Sequence, residues 1–426
     1  MLHTLHGVLT PSPTRRSAVS PERLDVEVGT PVGTAPAVPV PDLRDATAAA
    51  PATDPATGAD EGADEGAAHD VSRTMDDIDA LLREVCDDLS AGWATRVPDA
   101  VDVLDADLPE TLLGWLLPAT GKRLRPLMCH WGWVSAGGAA VTAEEPDPCR
   151  TEMVRVGAAL ELLHLFALVH DDVMDRGSSR RGRPTAHVEA ARAHVQEQAL
   201  GDPVLFGDSV AILLGDLALS EASLLVTETS RPVQLHWREM LRELVHGQLL
   251  DVTAAAARRR DVEHSRRVAR LKSGAYTIQR PLVLGALVAG APAPVTDALE
   301  AYGAHLGEAF ALRDDVLGVW GDPLTTGKPV GDDLLLSKAT VLLAEARRLL
   351  PPDLSERYLG RDAHITPEDV PVLQQLMVER GVLDVVEGRI DRELELALEC
   401  LSQADLEPVG ARRLQALAES TARRAA

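Results

Sequence analysis

Aromatic residues are scarce in this chain: three Phe, three Tyr and six Trp, 3% of 426 residues. β-Branched runs are few, and neither strand alternation nor a strand–helix–strand rhythm appears, which excludes a sheet-based fold. There are only four cysteines (Cys86, Cys129, Cys149 and Cys400), with no CxxC pair and no metal spacing. They read as reduced thiols rather than a disulfide frame or a zinc site. Positive charge is in deficit, with 42 Lys and Arg against 66 Asp and Glu and a net charge of -24. That excludes a nucleic-acid partner and a basic membrane-binding surface. No apolar run reaches the length of a membrane span, and the N-terminus lacks a charged segment followed by an apolar one. These absences predict a cytoplasmic protein with no stable membrane insertion.

What is present favours helix, because Ala, Leu, Arg and Glu dominate. The stretch from Glu161 to Asp175 reads as one buried helix ending in three carboxylates, Asp171, Asp172 and Asp175. At about 100° per residue, Asp171 and Asp175 share a face one turn apart, with His164 two turns back. Like charges this close are costly to bury unless a cation neutralises them. An all-carboxylate set suits Mg²⁺, which shares its remaining sites with water and substrate phosphates. A second apolar helix, Leu306 to Gly318, ends in Asp314-Asp315. Two such motifs suggest two acidic walls facing each other across a pocket that holds a Mg²⁺–diphosphate.

Residues 1–70 are rich in Pro, Ala, Thr and Asp without a sustained apolar period, and predict a disordered tail. Residues 71–426 predict one all-α domain, a bundle around a central cavity. Ile78, Leu81, Leu82, Val85 and Leu89 give its first helix. Later helices are expected over 152–175, from Ser209, and over 241–257, 268–289 and 298–319.

Cations stand beside both acidic motifs. Lys122, Arg123 and Arg125 lie at a helix start, where backbone N–H groups favour an anion. Arg180 and Arg181 follow the first motif, Lys272 lies in Lys-Ser-Gly-Ala-Tyr276, and Lys328 and Lys338 follow the second. This suits two phosphorylated substrates, one held through metal and one directly by Arg and Lys.

Together these segments resemble the trans-isoprenyl diphosphate synthases of the polyprenyl synthetase family, and most of all the geranylgeranyl diphosphate synthases. The resemblance rests on Gly121-Lys-Arg-Leu-Arg-Pro126, Glu161-Leu-Leu-His164, Asp171-Asp-Val-Met-Asp175, Arg180-Arg-Gly182, Gly215-Asp216, Gly247-Gln-Leu-Leu-Asp251, Lys272-Ser273 and Phe310 to Asp315, in the family's order. It implies an all-α bundle, commonly a homodimer. It also implies Mg²⁺ on the allylic diphosphate held by Asp171, Asp172, Asp175 and Asp314, with Asp315 in support. Arg180, Lys272 and Lys328 would hold that diphosphate. Lys122, Arg123, His164 and Arg181 would hold isopentenyl diphosphate, and Gln248 would lie near the reacting carbons. Residues 166 and 167, five and four places before the first aspartate, would set product length. Here they are Phe166 and Ala167, a pattern similar to geranylgeranyl synthases, with farnesyl diphosphate as the alternative product.

Three positions depart from the family pattern: Ala311 stands where Gln is usual, Gly318 where the second motif ends in Asp, and Leu336 where Glu precedes Gly-Lys. They keep open a non-catalytic subunit of a heteromeric synthase. A class I terpene cyclase needs an Asn-led second metal motif, and this chain has no asparagine. A metal hydrolase built on His170-Asp171 would leave the second aspartate pair unexplained. The Gly321 to Lys328 segment has one residue too many for a P-loop.

Overall fold

The computed structural model describes residues 58–96, 108–116, 123–138, 148–180, 182–257, 259–321, 331–336 and 338–423. Helix α1 (Gly58–Arg96) opens the described chain. It begins ahead of the boundary expected at residue 70. Its first turns are rich in Ala, Asp and Glu, which combine helix propensity with negative charge at the positive end of the helix dipole. Met75, Ile78, Leu82 and Cys86, three and four residues apart, are buried along one stripe.

Helices α2 (Leu108–Leu116), α3 (Leu124–Ser135) and α4 (Pro148–Met174) follow. The basic turn after α4 closes as a minimal hairpin, β1 (Ser179–Arg180) against β2 (Arg183–Pro184), antiparallel with Arg180 opposite Arg183. Then come α5 (Ala186–Gln196), α6 (Pro203–Thr227), α7 (Arg231–Ala257) and α8 (Val262–Ala269). Residues Arg270–Gln279 are a π-helical segment that runs directly into α9 (Arg280–Val288). Helix α10 (Ala293–Trp320) carries the second acidic motif, and α11 (Asp332–Leu335) is one short turn. The C-terminal part is α12 (Val341–Leu349), α13 (Pro352–Leu359), α14 (Asp369–Glu379), α15 (Val382–Ser402) and α16 (Pro408–Ala422).

Several helices start earlier than their apolar periods suggest. For α6 the cause is a cap: Asp202 accepts from the Val204 and Leu205 N–H groups at 2.8 and 3.4 Å, and Pro203 fits the first turn. Helix α4 packs between α3 and α6, and α10 packs against α15 and the π segment. The few aromatics are spent inside: Trp131, Trp133 and Tyr302 are fully buried, and the Tyr302 hydroxyl donates to the Leu414 carbonyl at 2.7 Å. By length and apolar composition alone, α4 and α6 could each cross a bilayer, contrary to the expectation from sequence. Most of that window in α4 is buried in the bundle, whereas most of it in α6 is not.

A buried polar cluster ties α1 to the core. Arg150 of α4 donates to Asp70 at 3.2 Å and Asp77 at 2.8 Å, and His130 Nδ1 lies 3.2 Å from the Thr74 hydroxyl. Burial, helped by the Arg150 charge, depresses the His130 imidazole to about 3. The folded chain therefore keeps His130 neutral where the unfolded chain protonates it, below its ordinary value of about 6.5. Stability attributable to this residue is complete above that value and falls as the pH drops toward 3, by about 1.4 kcal/mol per pH unit at most. We expect His130→Gln to flatten the loss of urea stability between about pH 7 and pH 5 by on the order of 1–2 kcal/mol. Equal slopes for the two proteins would place the proton-linked group elsewhere.

Candidate active site

The C-terminal end of α4 delivers the first acidic motif, and each of its carboxylates has a different cationic partner. Asp171 lies 2.8 Å from Lys272 Nζ and accepts from Gln248 Nε2 at 3.2 Å. Asp172 is buried and takes both arms of the Arg180 fork, at 2.9 Å from Nε and 2.7 Å from a terminal nitrogen. Asp175 lies 2.9 Å from Lys338 Nζ.

Close helix packing places Lys272. A Cβ on Gly247 of α7 would lie 2.6 Å from the Lys272 backbone nitrogen. Gly274 and Gly307 likewise let the π segment cross α10 nearly backbone to backbone: a Cβ on Gly274 would meet the Gly307 oxygen at 2.5 Å. The π segment is thus wedged between α7 and α10, and its lysine reaches both Asp171 and, at 2.5 Å, Asp251 of α7. Helix interruptions of this kind recur at functional sites. Nothing in the apolar period of 268–289 marks it.

The electrostatics follow from this crowding. Burial alone would raise the Asp171 carboxyl; Lys272, Lys338 and Arg180 overcome it and hold it below the usual carboxylate range. Burial would likewise depress Lys272 and Lys338. Asp171 and Asp251 raise the first above the ordinary lysine value, and Asp333 and Asp175 raise the second. Asp315 behaves in the opposite way. Burial pushes it well above the carboxylate range, Asp333 and Asp314 add to the push, and the Val341 N–H, donating at 2.9 Å, only partly offsets it. Burial and two neighbouring carboxylates thus favour a protonated Asp315 in the second motif.

Lys338 links the first motif to α11, because it pairs with Asp175 and lies 3.9 Å from Asp333, whose carboxylate neighbours Asp315. Asp314 itself is exposed at the same end of α10. Among the described residues no three acidic, His or Cys side chains form a ready-made metal cage. The donor set at the two motifs is oxygen only, which suits Mg²⁺, and Asp314 and Asp333 lie close enough to Asp315 to raise its carboxyl.

The structure separates the arginines at the start of α3. Arg123 adopts left-handed backbone geometry (φ 46°) and points back to α1 and α4, 2.7 Å from Asp79 and 3.5 Å from Glu161. Arg125 is buried. It donates to the Thr277 hydroxyl at 2.8 Å and lies over the Tyr276 ring, 4.3 Å from its centre. His164 also lies beside Tyr276, with ring centres 6.4 Å apart. Arg125 and His164 thus both lie against Tyr276, whereas Arg123 pairs with carboxylates of α1 and α4. Phe166 leans on His170, ring centres 4.6 Å apart, and His170 in turn contacts the Ile212 carbonyl on α6 at 3.0 Å. Ala167 is half-buried beside it. Lys122, Arg181 and Lys328 lie outside the described residues. Of the departures, Ala311 is buried and Leu336 is exposed.

The polyprenyl synthetase family model matches residues 109–371, a span that holds both acidic motifs and every cation named above. The chain belongs to the polyprenyl synthetase family. As a polyprenyl synthetase it is a prenyltransferase. It is similar to the geranylfarnesyl diphosphate synthase of Aeropyrum pernix, 33% identical over 306 residues, 68% of this chain and 85% of that one. It is also similar to the (2E,6E)-farnesyl diphosphate synthase of Mycobacterium tuberculosis, 36% identical over 238 residues, 51% of this chain and 62% of that one. Among solved structures, the geranylgeranyl pyrophosphate synthase of Corynebacterium glutamicum, complexed with isoprenyl diphosphate and magnesium, matches with a TM-score of 0.71 at 34% identity. That match covers 82% of this chain and 99% of the other. These polyprenyl synthetases differ in the product their names state, so membership leaves chain length open.

Proposed function

We propose that this chain condenses isopentenyl diphosphate with an allylic diphosphate, using Mg²⁺, and that its main product is geranylgeranyl diphosphate. The observation that carries the reading is the linked array Asp251–Lys272–Asp171 and Asp175–Lys338–Asp333, which runs from the first acidic helix end to the carboxylate that neighbours Asp315. Asp171, Asp175 and Asp314 would hold Mg²⁺, with Asp315 behind them. Bound there, the ion neutralises the leaving diphosphate and so favours ionisation of the allylic C–O bond. Lys272 and Lys338 give up part of their hold on Asp171 and Asp175 and turn toward the same diphosphate. Arg180 keeps Asp172 oriented. Gln248, hydrogen-bonded to Asp171, stands beside the reacting carbons. Arg125 and His164, with Lys122 and Arg181, hold isopentenyl diphosphate, whose double bond attacks the allylic cation. The released diphosphate takes the proton, so no side-chain nucleophile is needed. The apolar interior along α4 keeps water from the cation.

The test is incubation of the purified chain with Mg²⁺, isopentenyl diphosphate and each allylic primer in turn, followed by sizing of the products. A C20 product supports the reading, and no turnover by the chain alone would refute it in favour of a subunit that needs a partner. Phe166→Ala should shift the products upward by at least one C5 unit, because it opens space between α4 and α6. An unchanged profile would place the chain-length floor elsewhere.

Two further assignments belong to this reading. The uncovered apolar residues Ile212, Leu213 and Leu224 on α6, with Val245 and Leu249 on α7, fit a homodimer that buries them. Light scattering should give twice the chain mass, and Leu213→Arg should halve it; a monomeric parent protein would rule the dimer out. All four cysteines are free, which suits a reducing cytoplasm. Recovery of the activity in a membrane or secreted fraction would contradict that location.

A further inference from the structure

Phe166 sits obliquely to the acidic stripe of α4. At about 100° per residue it lies about 140° round the helix from Asp171, whereas His170 shares its side, about 40° away and one turn nearer the acidic end. A side chain placed so obliquely narrows the apolar interior only as far as something holds its ring there. His170 is the group in contact with it: the ring centres are 4.6 Å apart and the planes inclined at 60°. His170 is itself fixed from α6, which packs along α4. Its Nε2 lies 3.0 Å from the Ile212 carbonyl. A carbonyl only accepts, so that nitrogen carries the proton and donates. Asp216 Oδ1 stands 3.8 Å from the same nitrogen. Gly215, buried and without a Cβ, leaves room beside the ring for this approach. The anchor is a backbone atom inside a long helix, so it does not shift with any side-chain rotamer.

We propose that His170 is a further chain-length residue: pinned to the Ile212 carbonyl, it holds the Phe166 ring in the path of the growing prenyl chain. It acts as a positioning residue, through Phe166, and needs neither charge nor contact with a diphosphate. Without the pin, Phe166 turns toward α6 and the floor of the interior drops. One ring contact biases the Phe166 rotamers without forbidding any, so the effect falls on the product distribution. The inference rests on the prenyl-transfer reading and on Phe166 as the residue that stops elongation.

The test is product sizing for His170→Leu and His170→Gln, each alone and in the Phe166→Ala background, beside the parent protein. The glutamine amide nitrogen reaches about as far as Nε2 and can donate to the same carbonyl, so His170→Gln should keep the parent profile. Leucine keeps apolar volume between α4 and α6, which protects the fold, but it has no donor. His170→Leu should raise the share of product one C5 unit longer about fivefold, the size expected of one displaced ring contact. With Phe166→Ala already in place it should add nothing, because no ring is left to hold. A merely structural His170 would lower the melting temperature and the rate but leave the product ratio alone. Parent-like products from His170→Leu, an equal shift in His170→Gln, or further lengthening on top of Phe166→Ala would overturn the proposal. Phe166→Ala by itself separates the two levels of the argument. If it leaves the products unchanged, the chain-length reading of Phe166 fails and takes this inference with it. If it lengthens them while both His170 variants match the parent, only the present inference fails.

Discussion

Replacing Asp171 with alanine is expected to lower kcat by about a thousandfold or more while leaving the fold intact. The size follows from what meets at this carboxylate. Asp171 contacts Lys272 at 2.8 Å and Gln248 at 3.2 Å, lies 3.9 Å from Arg180, and is the leading candidate for the metal. On the proposed mechanism its loss would remove a metal ligand and free the lysine that would meet the leaving diphosphate. The fold should survive because Lys272 keeps Asp251 as a second anionic partner, so no buried cation is stranded. Steady-state rates over a range of Mg²⁺ concentrations, with a thermal melt as control, make the measurement. A rate within about tenfold of the parent would remove Asp171 from the metal site. Asp171→Glu should recover part of the loss only at raised Mg²⁺, because the longer carboxylate displaces the ion rather than abandoning it.

The two acidic helix ends were legible in the sequence because their signal is local: an apolar helical period broken by carboxylates spaced one turn apart. The all-helical class was legible for the same reason. What escaped depends on contacts between distant segments. Asp251 stands in the Gly247–Asp251 motif with no role that the sequence assigns, and only the wedging of the π segment at Gly247 brings it against Lys272. The change of pitch at Arg270–Gln279 leaves no mark in a short apolar period. The hairpin after α4 is too brief for any alternation, yet it sets the Arg180 fork on Asp172. Asp333 was invisible as a neighbour of Asp315, since the two are joined only by packing of α11 on α10. Occasional acids interrupt the apolar length of α6, so no unbroken run marks it in the sequence.

Arg123 and Arg125 show the same limit and lead to the second large effect. On paper both are cations at one helix start. In the fold, Arg123 precedes α3 in left-handed geometry and turns to the carboxylates of Asp79 and Glu161, whereas Arg125, inside the first turn, faces the π segment. The side-chain partners of Arg125 among the described residues, Thr277 and Tyr276, are neutral, and its Nε is buried without a hydrogen-bond acceptor. A guanidinium buried on those terms is destabilised until an anion arrives, and a diphosphate is the anion that the proposed reaction would bring. Arg125→Met should therefore raise the KM for isopentenyl diphosphate about a hundredfold, equivalent to about 3 kcal/mol, and change the KM for the allylic primer only a few-fold. The folded protein should be as stable as the parent or more so, because methionine fills much of the same volume without a charge to desolvate. Arg123→Met should do the reverse: a lower melting temperature from the lost Asp79 and Glu161 pairs, with KM values near those of the parent. Paired kinetics and melts on the two variants decide between them. If Arg123→Met carries the KM effect and Arg125→Met does not, the isopentenyl pocket lies on the α1 side of α3 rather than beside Tyr276.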